Sequence, residues 1–200
     1  MVKCKNFFTI LFFIFTTIAV TLWIFRGLFP IKHESTIEKY CEEYGVKPPL
    51  VYALIKAESN FRGDAQSHAG AKGLMQITDE TFEYCLAKLD IPHANIFNAE
   101  SNLQCGIWYL SYLLDKYGGN AGNAVAAYNA GETNVDRWLK DSRYSEDSKN
   151  LSDIPFWETK RHVGKIERYV KIYEYIYTFE ESYEKIFTFT FNSFSPFYRL

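Results

Sequence analysis

The segment that decides the fold is PPLVYALIKAES, at residues 48–59. Its two leading prolines suit the first turn of a helix, where their missing amide hydrogen needs no partner. Leu50, Leu54 and Ala57 then recur at helical spacing and are expected to face a core. The pattern predicts a short, mostly apolar helix that carries Glu58 at its carboxyl end.

Glu58 has apolar neighbours, because Leu54 and Ile55 precede it by one helical turn and Phe61 follows closely. Burial disfavours the charged form of a carboxyl group, and the negative end of the helix dipole has the same effect. Both effects suit a general acid that works near neutral pH. A surface glutamate at a helix end is the simpler alternative, and this segment alone favours that alternative.

The residues on both sides of this segment also predict helices. Patterns with caps or glycine stops cover Glu34–Tyr44, a stretch from Thr78 or Asp79 to about Leu89, a stretch from Asn98 to the Gly118-Gly119 pair, Ala121–Ala130, a short helix capped by Thr133 and ending near Leu139, and about 158–184. Residues 61–72 and 143–153 are expected to be loops. The predicted fold class is mainly α, or α+β at most.

Two terminal stretches differ from this pattern. No charged residue lies between Asn6 and Phe25, and about 20 apolar residues suffice to cross a membrane. We expect residues 1–6 to be a cytoplasmic tail and residues 7–26 an uncleaved transmembrane signal-anchor; a cleaved signal peptide is the alternative. Residues 185–200 form an aromatic tail in which IFTFTF alternates like a strand, so an extra strand, a packing tail and an irregular end all stay open.

Composition limits the function classes. The chain has 200 residues, of which 48% are hydrophobic and 18% aromatic, and its net charge is −2. The aromatic content argues against intrinsic disorder, and the near-neutral charge argues against a non-specific nucleic-acid binder. Because Lys3, Lys5 and Arg26 lie at the N-terminus, residues 27–200 are more acidic than the whole. Such a domain must hold a polyanionic polymer by a shaped groove rather than by charge.

Cysteine and histidine spacing gives no sign of a metal site. Cys41, Cys85 and Cys105 include no Cys-x-x-Cys pair, and the histidines form no His-Glu-x-x-His motif. One disulfide in an oxidising compartment and burial as free thiols are the two alternatives. We expect no bound metal.

Three further segments complete a set with Glu58-Ser59. They are GAKGLMQ at residues 70–76, AAYNAG at residues 126–131 and Glu158-Thr159. Singly they describe a turn before a helix, an alanine-rich helix with a glycine stop, and a helix start. In this order and spacing, the four segments resemble the soluble lytic transglycosylase family, lysozyme-like enzymes of the goose-type branch that cut bacterial peptidoglycan. The resemblance covers about residues 35–178 and implies a lysozyme-like helical domain over residues 27–184.

The resemblance implies a role for each matching position. Glu58 resembles the single catalytic acid/base, and Tyr128 resembles the tyrosine whose hydroxyl approaches that carboxyl and the substrate's acetamido group. The substrate-binding set is expected to be Ser59, Ser67, Met75, Gln76, Tyr128, Asn129 and Glu158. Within it, Ser59 is expected to hold the helix end, Met75 to form groove wall, and Asn129 to be more structural than ligand-binding.

Two positions depart from the family pattern. Many members have Tyr-Val after the Glu-Thr pair, whereas this chain has His162-Val163. Thr78 stands where some relatives have Met. We expect both departures to affect the shape of the groove and neither to touch Glu58.

The implied reaction breaks the β-1,4 bond between N-acetylmuramic acid and N-acetylglucosamine and leaves a 1,6-anhydro-muramoyl end. It needs one carboxylate and no metal or organic cofactor, whereas most glycosidases use two carboxylates. Asp64, the nearest rival in sequence, is expected to be a turn residue. The alternatives are a goose-type muramidase that uses water and a non-catalytic cell-wall scaffold. The expected partners are peptidoglycan strands and the membrane, with no nucleic acid, for a monomer whose domain faces the cell wall.

Overall fold

The structure is a computed structural model that describes the backbone of residues 2–91 and 94–194 and the side chains of residues 9–91 and 94–179. Residues 1–34 and 35–200 form two separate compact units. Each unit is described by itself below.

The first unit is built on one long apolar helix, α1 (Val2–Leu28). The stretch Thr9–Leu28 has a mean hydropathy of 1.9 and none of it is buried, so by length and composition it can cross a membrane. Its polar groups are satisfied internally, because the hydroxyl of Thr17 donates to Phe13 O at 2.8 Å and that of Thr21 to Thr17 O at 2.8 Å. A helix in hydrocarbon needs this internal pairing.

The second unit consists of seven helices within the described residues. They are α2 (Glu34–Tyr44), α3 (Pro48–Glu58), α4 (Asp79–Leu89), α5 (Ala99–Lys116), α6 (Ala121–Ala130), α7 (Glu132–Leu139) and α8 (Trp157–Phe194). The β-structure in this part of the chain is limited to isolated bridges that join Lys72 to Gln66 and to Ile77. The mainly α prediction is confirmed.

Local capping chemistry sets several helix starts. Thr78 accepts a hydrogen bond from Thr81 N at the start of α4, and Asn98 accepts one from Ser101 N at the start of α5. The prediction that Thr133 caps α7 is wrong, since the helix begins at Glu132, directly after Gly131, and already includes Thr133. Gly131 closes α6 with a φ of +83° and so turns the chain straight into α7.

Helix α3 lies at the centre of the second unit. It packs against α8, and α6 packs against α5, α7 and α8. Six consecutive residues of α3 are buried, from Leu50 to Ile55, so the helix is covered on all sides rather than along one stripe. The aromatic ring of Tyr52 stacks on that of Tyr173 in α8, with 5.3 Å between centroids. This packing fixes the position of the acidic end of α3.

The connection between α7 and α8 is held by amide and carboxylate groups. Asn123 of α6 donates to Lys149 O at 2.7 Å and accepts from Leu151 N at 3.2 Å. The carboxylate of Asp147 accepts from the backbone amides of Lys149 and Asn150. These bonds fix the path of the chain before α8 begins.

Three sequence expectations have outcomes in this unit. The backbone of α8 continues to Phe194, so an extra strand at residues 186–191 is wrong. The helix supplies its hydrogen bonds from within the segment, whereas a strand needs a neighbour to pair with. Residues 195–200 of the tail lie outside the described residues. Cys41, Cys85 and Cys105 are buried free thiols.

Candidate active site

Glu58 is the last residue of α3, and its side chain is only 14% exposed. Ser59 closes the helix: its backbone amide donates to Ile55 O at 3.0 Å and its hydroxyl donates to the same oxygen at 3.3 Å. Ser59 is itself buried, so it fixes the end of the helix and thereby the position of the Glu58 backbone.

Lysines approach the carboxyl end of α3. Lys165 of α8 donates from Nζ to Ala57 O at 3.0 Å, which satisfies one terminal carbonyl and places a cation at the negative end of the helix. Burial, and then the charge of Lys165, lower the pKa of Lys56. The helix dipole at Glu58 is therefore partly offset by Lys165, a compensation that the local sequence of α3 does not reveal.

Tyr128 of α6 lies within electrostatic reach of Glu58. Its hydroxyl donates to Met75 O at 2.8 Å. Burial raises the pKa of Tyr128 well above its ordinary value, and the charge of Glu58 raises it further. The phenol is therefore a neutral hydrogen-bonding group beside the carboxyl, with its proton directed at the loop that carries Met75.

The loop at residues 70–76 is tightly folded beneath this pair. Gln76 has a φ of +49° and donates from Nε2 to Gly73 O at 2.9 Å and to Ala65 O at 3.1 Å. The side-chain amide nitrogen therefore bonds to the backbone of this region, whereas the side-chain oxygen Oε1 has no protein partner among the described residues. The side chain of Met75 is fully buried against Gly106.

Asn102 of α5 is the residue that holds this loop, and sequence reasoning did not find it. Its Oδ1 accepts from Met75 N at 2.9 Å, and its Nδ2 donates to Lys72 O at 3.1 Å and to Ile96 O at 2.8 Å. Gly73 leaves room for the amide, since a Cβ there would lie 2.2 Å from Nδ2. The local pattern around Asn102 is that of an ordinary helix, so only the fold reveals the role.

Three expected substrate-binding residues lie nearer the surface. Ser67 is exposed and its hydroxyl accepts from Ala71 N at 3.0 Å. Asn129 is exposed and accepts from the buried hydroxyl of Thr159 at 2.8 Å, which ties the end of α6 to the start of α8. Glu158 is exposed in the first turn of α8. Substrate binding by these residues stays a prediction.

His162 of α8 contacts the candidate acid. Its Nε2 lies 3.0 Å from Oε1 of Glu58, and both side chains are 14% exposed. The expectation that this departure does not touch the acid is therefore wrong. The two residues are 104 positions apart, and the packing of α8 on α3 brings them together. The approach lacks the direction of a regular Nε2–H···O hydrogen bond, and Nε2 has no other partner among the described residues.

The described side chains contain no group of three or more His, Cys, Asp or Glu residues that could hold a metal. The groups recorded around Glu58 are an imidazole and a phenol. Asp64 is exposed in the turn after α3. The arrangement can hold, release and recapture one proton at Glu58.

Comparisons with known proteins find relatives of similar sequence. The soluble lytic murein transglycosylase of Escherichia coli strain K12 is 30% identical over 165 residues, which are 80% of this chain and 26% of that relative. The membrane-bound lytic murein transglycosylase C of Sodalis glossinidius is 30% identical over 116 residues, which are 52% of this chain and 32% of the relative. This chain spans about a quarter to a third of the length of these relatives.

Solved structures show the same fold. The lytic transglycosylase Slt of Pseudomonas aeruginosa, solved as an inactive mutant, superposes with a TM-score of 0.67 at 32% identity, over 75% of this chain and 25% of that one. The 70 kDa soluble lytic transglycosylase of Escherichia coli superposes with a TM-score of 0.68 at 29% identity, over 80% and 27%. The predicted lysozyme-like, all-helical fold is confirmed.

The family match covers the core of the site. The transglycosylase SLT domain matches residues 35–151, more than half of the chain. That region contains Glu58, the loop at residues 70–76 and Tyr128, whereas Glu158 and His162 follow it. The chain therefore belongs to the transglycosylase SLT domain family.

Proposed function

We propose that the chain is a membrane-anchored lytic transglycosylase that cleaves the β-1,4 bond between N-acetylmuramic acid and N-acetylglucosamine in peptidoglycan. The observation that carries this proposal is Glu58, a mostly buried carboxyl that meets an imidazole and lies near a phenol. A two-carboxylate glycosidase places a second acid across the scissile bond. Membership of the SLT family supports the same reaction.

In the first half of the reaction, Glu58 is the general acid. Its carboxyl proton passes to the bridging oxygen as the bond from that oxygen to the anomeric carbon breaks. The oxygen of the substrate's 2-acetamido group stabilises the positive charge that develops at the anomeric carbon. Tyr128, a neutral phenol near the acid, is proposed to contact that acetamido group.

In the second half, the Glu58 carboxylate is the general base. It takes the proton from the muramoyl 6-hydroxyl, whose oxygen then bonds to the anomeric carbon. The product is a 1,6-anhydro sugar, and Glu58 regains the proton that it gave up. The cycle is closed without water, metal or organic cofactor.

The remaining residues are proposed to act in two ways. Ser67, Gln76 and Glu158 present polar atoms that can contact the glycan strand directly, since Ser67 and Glu158 are exposed and Gln76 is half-buried. Ser59 and Met75 are buried, so they act through the backbone: Ser59 fixes the helix end, and the carbonyl oxygen of Met75 accepts a hydrogen bond from the Tyr128 hydroxyl. Asn129 belongs to this second group through its bond to Thr159.

The apolar helix α1 is proposed to be the anchor, with a single span over residues 7–26, residues 1–6 in the cytoplasm and a monomeric catalytic domain facing the cell wall. Its length and hydropathy support the span. Cys4 tests the orientation, because Cys41, Cys85 and Cys105 are all buried. We expect a membrane-impermeant maleimide to label Cys4 only after the cells are permeabilised. Labelling of Cys4 in intact cells would reverse the topology.

The catalytic proposal is tested by Glu58→Gln in the full chain. We expect lysis of purified peptidoglycan to fall by more than the roughly 10²–10⁴-fold typical of one supporting acid or base, because Glu58 serves both half-reactions. Folding and co-sedimentation with peptidoglycan should survive. Glu42→Gln, an exposed glutamate on α2, is the matched control and should keep full activity. If the Glu58→Gln protein lyses peptidoglycan at the wild-type rate, Glu58 is not the catalytic acid/base.

A further inference from the structure

We propose that His162 is a positioning residue that shares a proton with Glu58, so that the enzyme works from the state in which this pair holds one proton. The inference rests on the proposed function and adds a second residue that governs the proton on Glu58. It starts from the 3.0 Å contact between His162 Nε2 and Glu58 Oε1.

The contact has little access to solvent. Both side chains are 14% exposed, and the Nε2 atom itself is buried with no other partner among the described residues. A buried polar atom without a regular hydrogen bond is uncommon in proteins, and such an atom calls for a functional explanation. In substrate-free enzymes, catalytic hydrogen bonds are often poorly aligned and tighten when substrate binds. The approach of Nε2 to the carboxyl at 3.0 Å is close enough to become a regular hydrogen bond in this way.

Neighbouring ionisable groups are neutral, exposed or bonded to other atoms. Helices α3 and α6 pack against α8, and their ionisable side chains are Tyr52, Lys56, Glu58 and Tyr128. Burial raises the pKa of Tyr128, so it is neutral, and Lys56 is bonded to Asn60. On α8 itself, Glu158 and Arg161 are exposed, and Lys165 is bonded to Ala57 O at the end of α3. Glu58 is thus the ionisable side chain in direct contact with His162.

The shared proton has two positions. When it lies on Glu58, the imidazole is neutral and the carboxyl can act as the acid. When it lies on His162, an imidazolium faces a carboxylate. Transfer between Nε2 and Oε1 interconverts the two, with no change in net charge, so the proton can return to Glu58 when the substrate arrives.

Catalysis is impaired both when the pair loses its proton and when it gains a second one. At alkaline pH the last proton leaves, and no acid remains for the bridging oxygen. At acid pH a second proton binds, and an imidazolium beside the Glu58 carboxylate weakens it as the base for the 6-hydroxyl. A tyrosine at this position is neutral over the same range and cannot add this second ionisation. Imidazole is the side chain whose ordinary titration falls between about pH 5 and 8.

The test is the pH dependence of kcat/KM for the full chain in detergent, with a soluble glycan fragment of peptidoglycan as substrate. His162→Gln keeps a polar atom near Nε2 but cannot ionise, and His162→Tyr introduces a second side chain that is polar but neutral near pH 7. His33→Asn removes an exposed histidine outside the matched region; asparagine suits its φ of +58°. It serves as the matched control.

We expect the wild type and His33→Asn to give a bell-shaped profile with two ionisations. His162→Gln and His162→Tyr should each lose the acid limb and retain one alkaline limb. At its optimum, His162→Gln should lose about ten- to a hundredfold in kcat, the scale for a misplaced catalytic group, with KM changed less than about twofold.

Wild-type profiles in both His162 variants would overturn the inference. Because two different side chains replace His162, either variant decides the matter if the other one unfolds. Glu58→Gln separates the two proposals: if it abolishes lysis while the His162 variants behave as wild type, only the proton-sharing role fails. If Glu58→Gln stays active, the proposed function fails as well.

Discussion

Asn102→Ala is the substitution whose effect the structure predicts most directly. The side chain of Asn102 makes three hydrogen bonds to the backbone, with Met75 N, Lys72 O and Ile96 O, and the residue is 1% exposed. Truncation removes all three partners at once. The bond to Met75 N is buried, and a buried group left unpaired costs about 1–3 kcal/mol, whereas each of the two part-buried bonds contributes about 1 kcal/mol. The free energy of unfolding should therefore fall by about 3–5 kcal/mol.

This loss is a large fraction of the roughly 5–15 kcal/mol that stabilises a typical domain. With a urea dependence of about 2 kcal/mol per molar, the unfolding midpoint should fall by about 1.5–2.5 M. Tryptophan fluorescence reports the transition, since Trp138 is buried in the second unit. Asn134→Ala is the matched control, because Asn134 accepts from Arg137 at the surface of the same unit and donates one bond to a backbone carbonyl, Ala130 O.

Asn134→Ala should cost only about 1 kcal/mol, the usual value for one hydrogen bond. If the urea midpoints of the two alanine variants differ by less than about 0.5 M, the reasoning about Asn102 is refuted. Asn102→Ala should also loosen the loop that carries Met75 and Gln76, so its lytic activity at temperatures well below unfolding should fall too.

Three further predictions concern neighbouring features. Gly73→Ala should destabilise the wild type by more than about 2 kcal/mol, since Gly73 has a φ of +76° and its new Cβ would meet Asn102. In an Asn102→Ala background only the backbone cost of about 1–2 kcal/mol should remain, as urea titration of the double mutant would show. Burial raises the pKa of the Cys41 thiol to about 12, so this thiol should stay neutral at pH 8 and resist iodoacetamide until the protein unfolds, as mass spectrometry of alkylated protein would show; rapid alkylation of the native form would contradict its burial. Thr159→Val should cost about 1 kcal/mol by removing its bond to Asn129, and calorimetry that shows no shift in Tm would count against that tie.

Sequence reasoning located the helices well because their signals are local. Thr78 and Asn98 cap α4 and α5 as predicted, since a capping side chain acts within three residues of itself. The misplaced start of α7 has a local cause too, because Gly131 ends one helix and begins the next without an intervening cap. The alternation in the tail was ambiguous, since period-2 patterns need a neighbouring strand before they specify a sheet.

The contacts that define the site were beyond local reasoning. His162 and Glu58 meet only because α8 packs on α3, and the single-sequence pattern held no sign of that pairing. Asn102 looked like an ordinary helix residue, although it joins the loop at residues 70–76 to α5. Burial of α3 on all sides was also missed, because the pattern of apolar residues suggests one face where the fold covers the whole helix.

The central claim is that Glu58 gives up a proton in the first half of the reaction and takes one back in the second, with no water consumed. Mass spectrometry of the ends produced when the full chain digests purified peptidoglycan tests this most directly. The account predicts 1,6-anhydro-muramoyl ends, lighter by one water molecule than reducing ends, and their absence with Glu58→Gln. Reducing ends from the wild-type protein would contradict it and identify a muramidase, and the absence of any cleavage would identify a wall-binding scaffold.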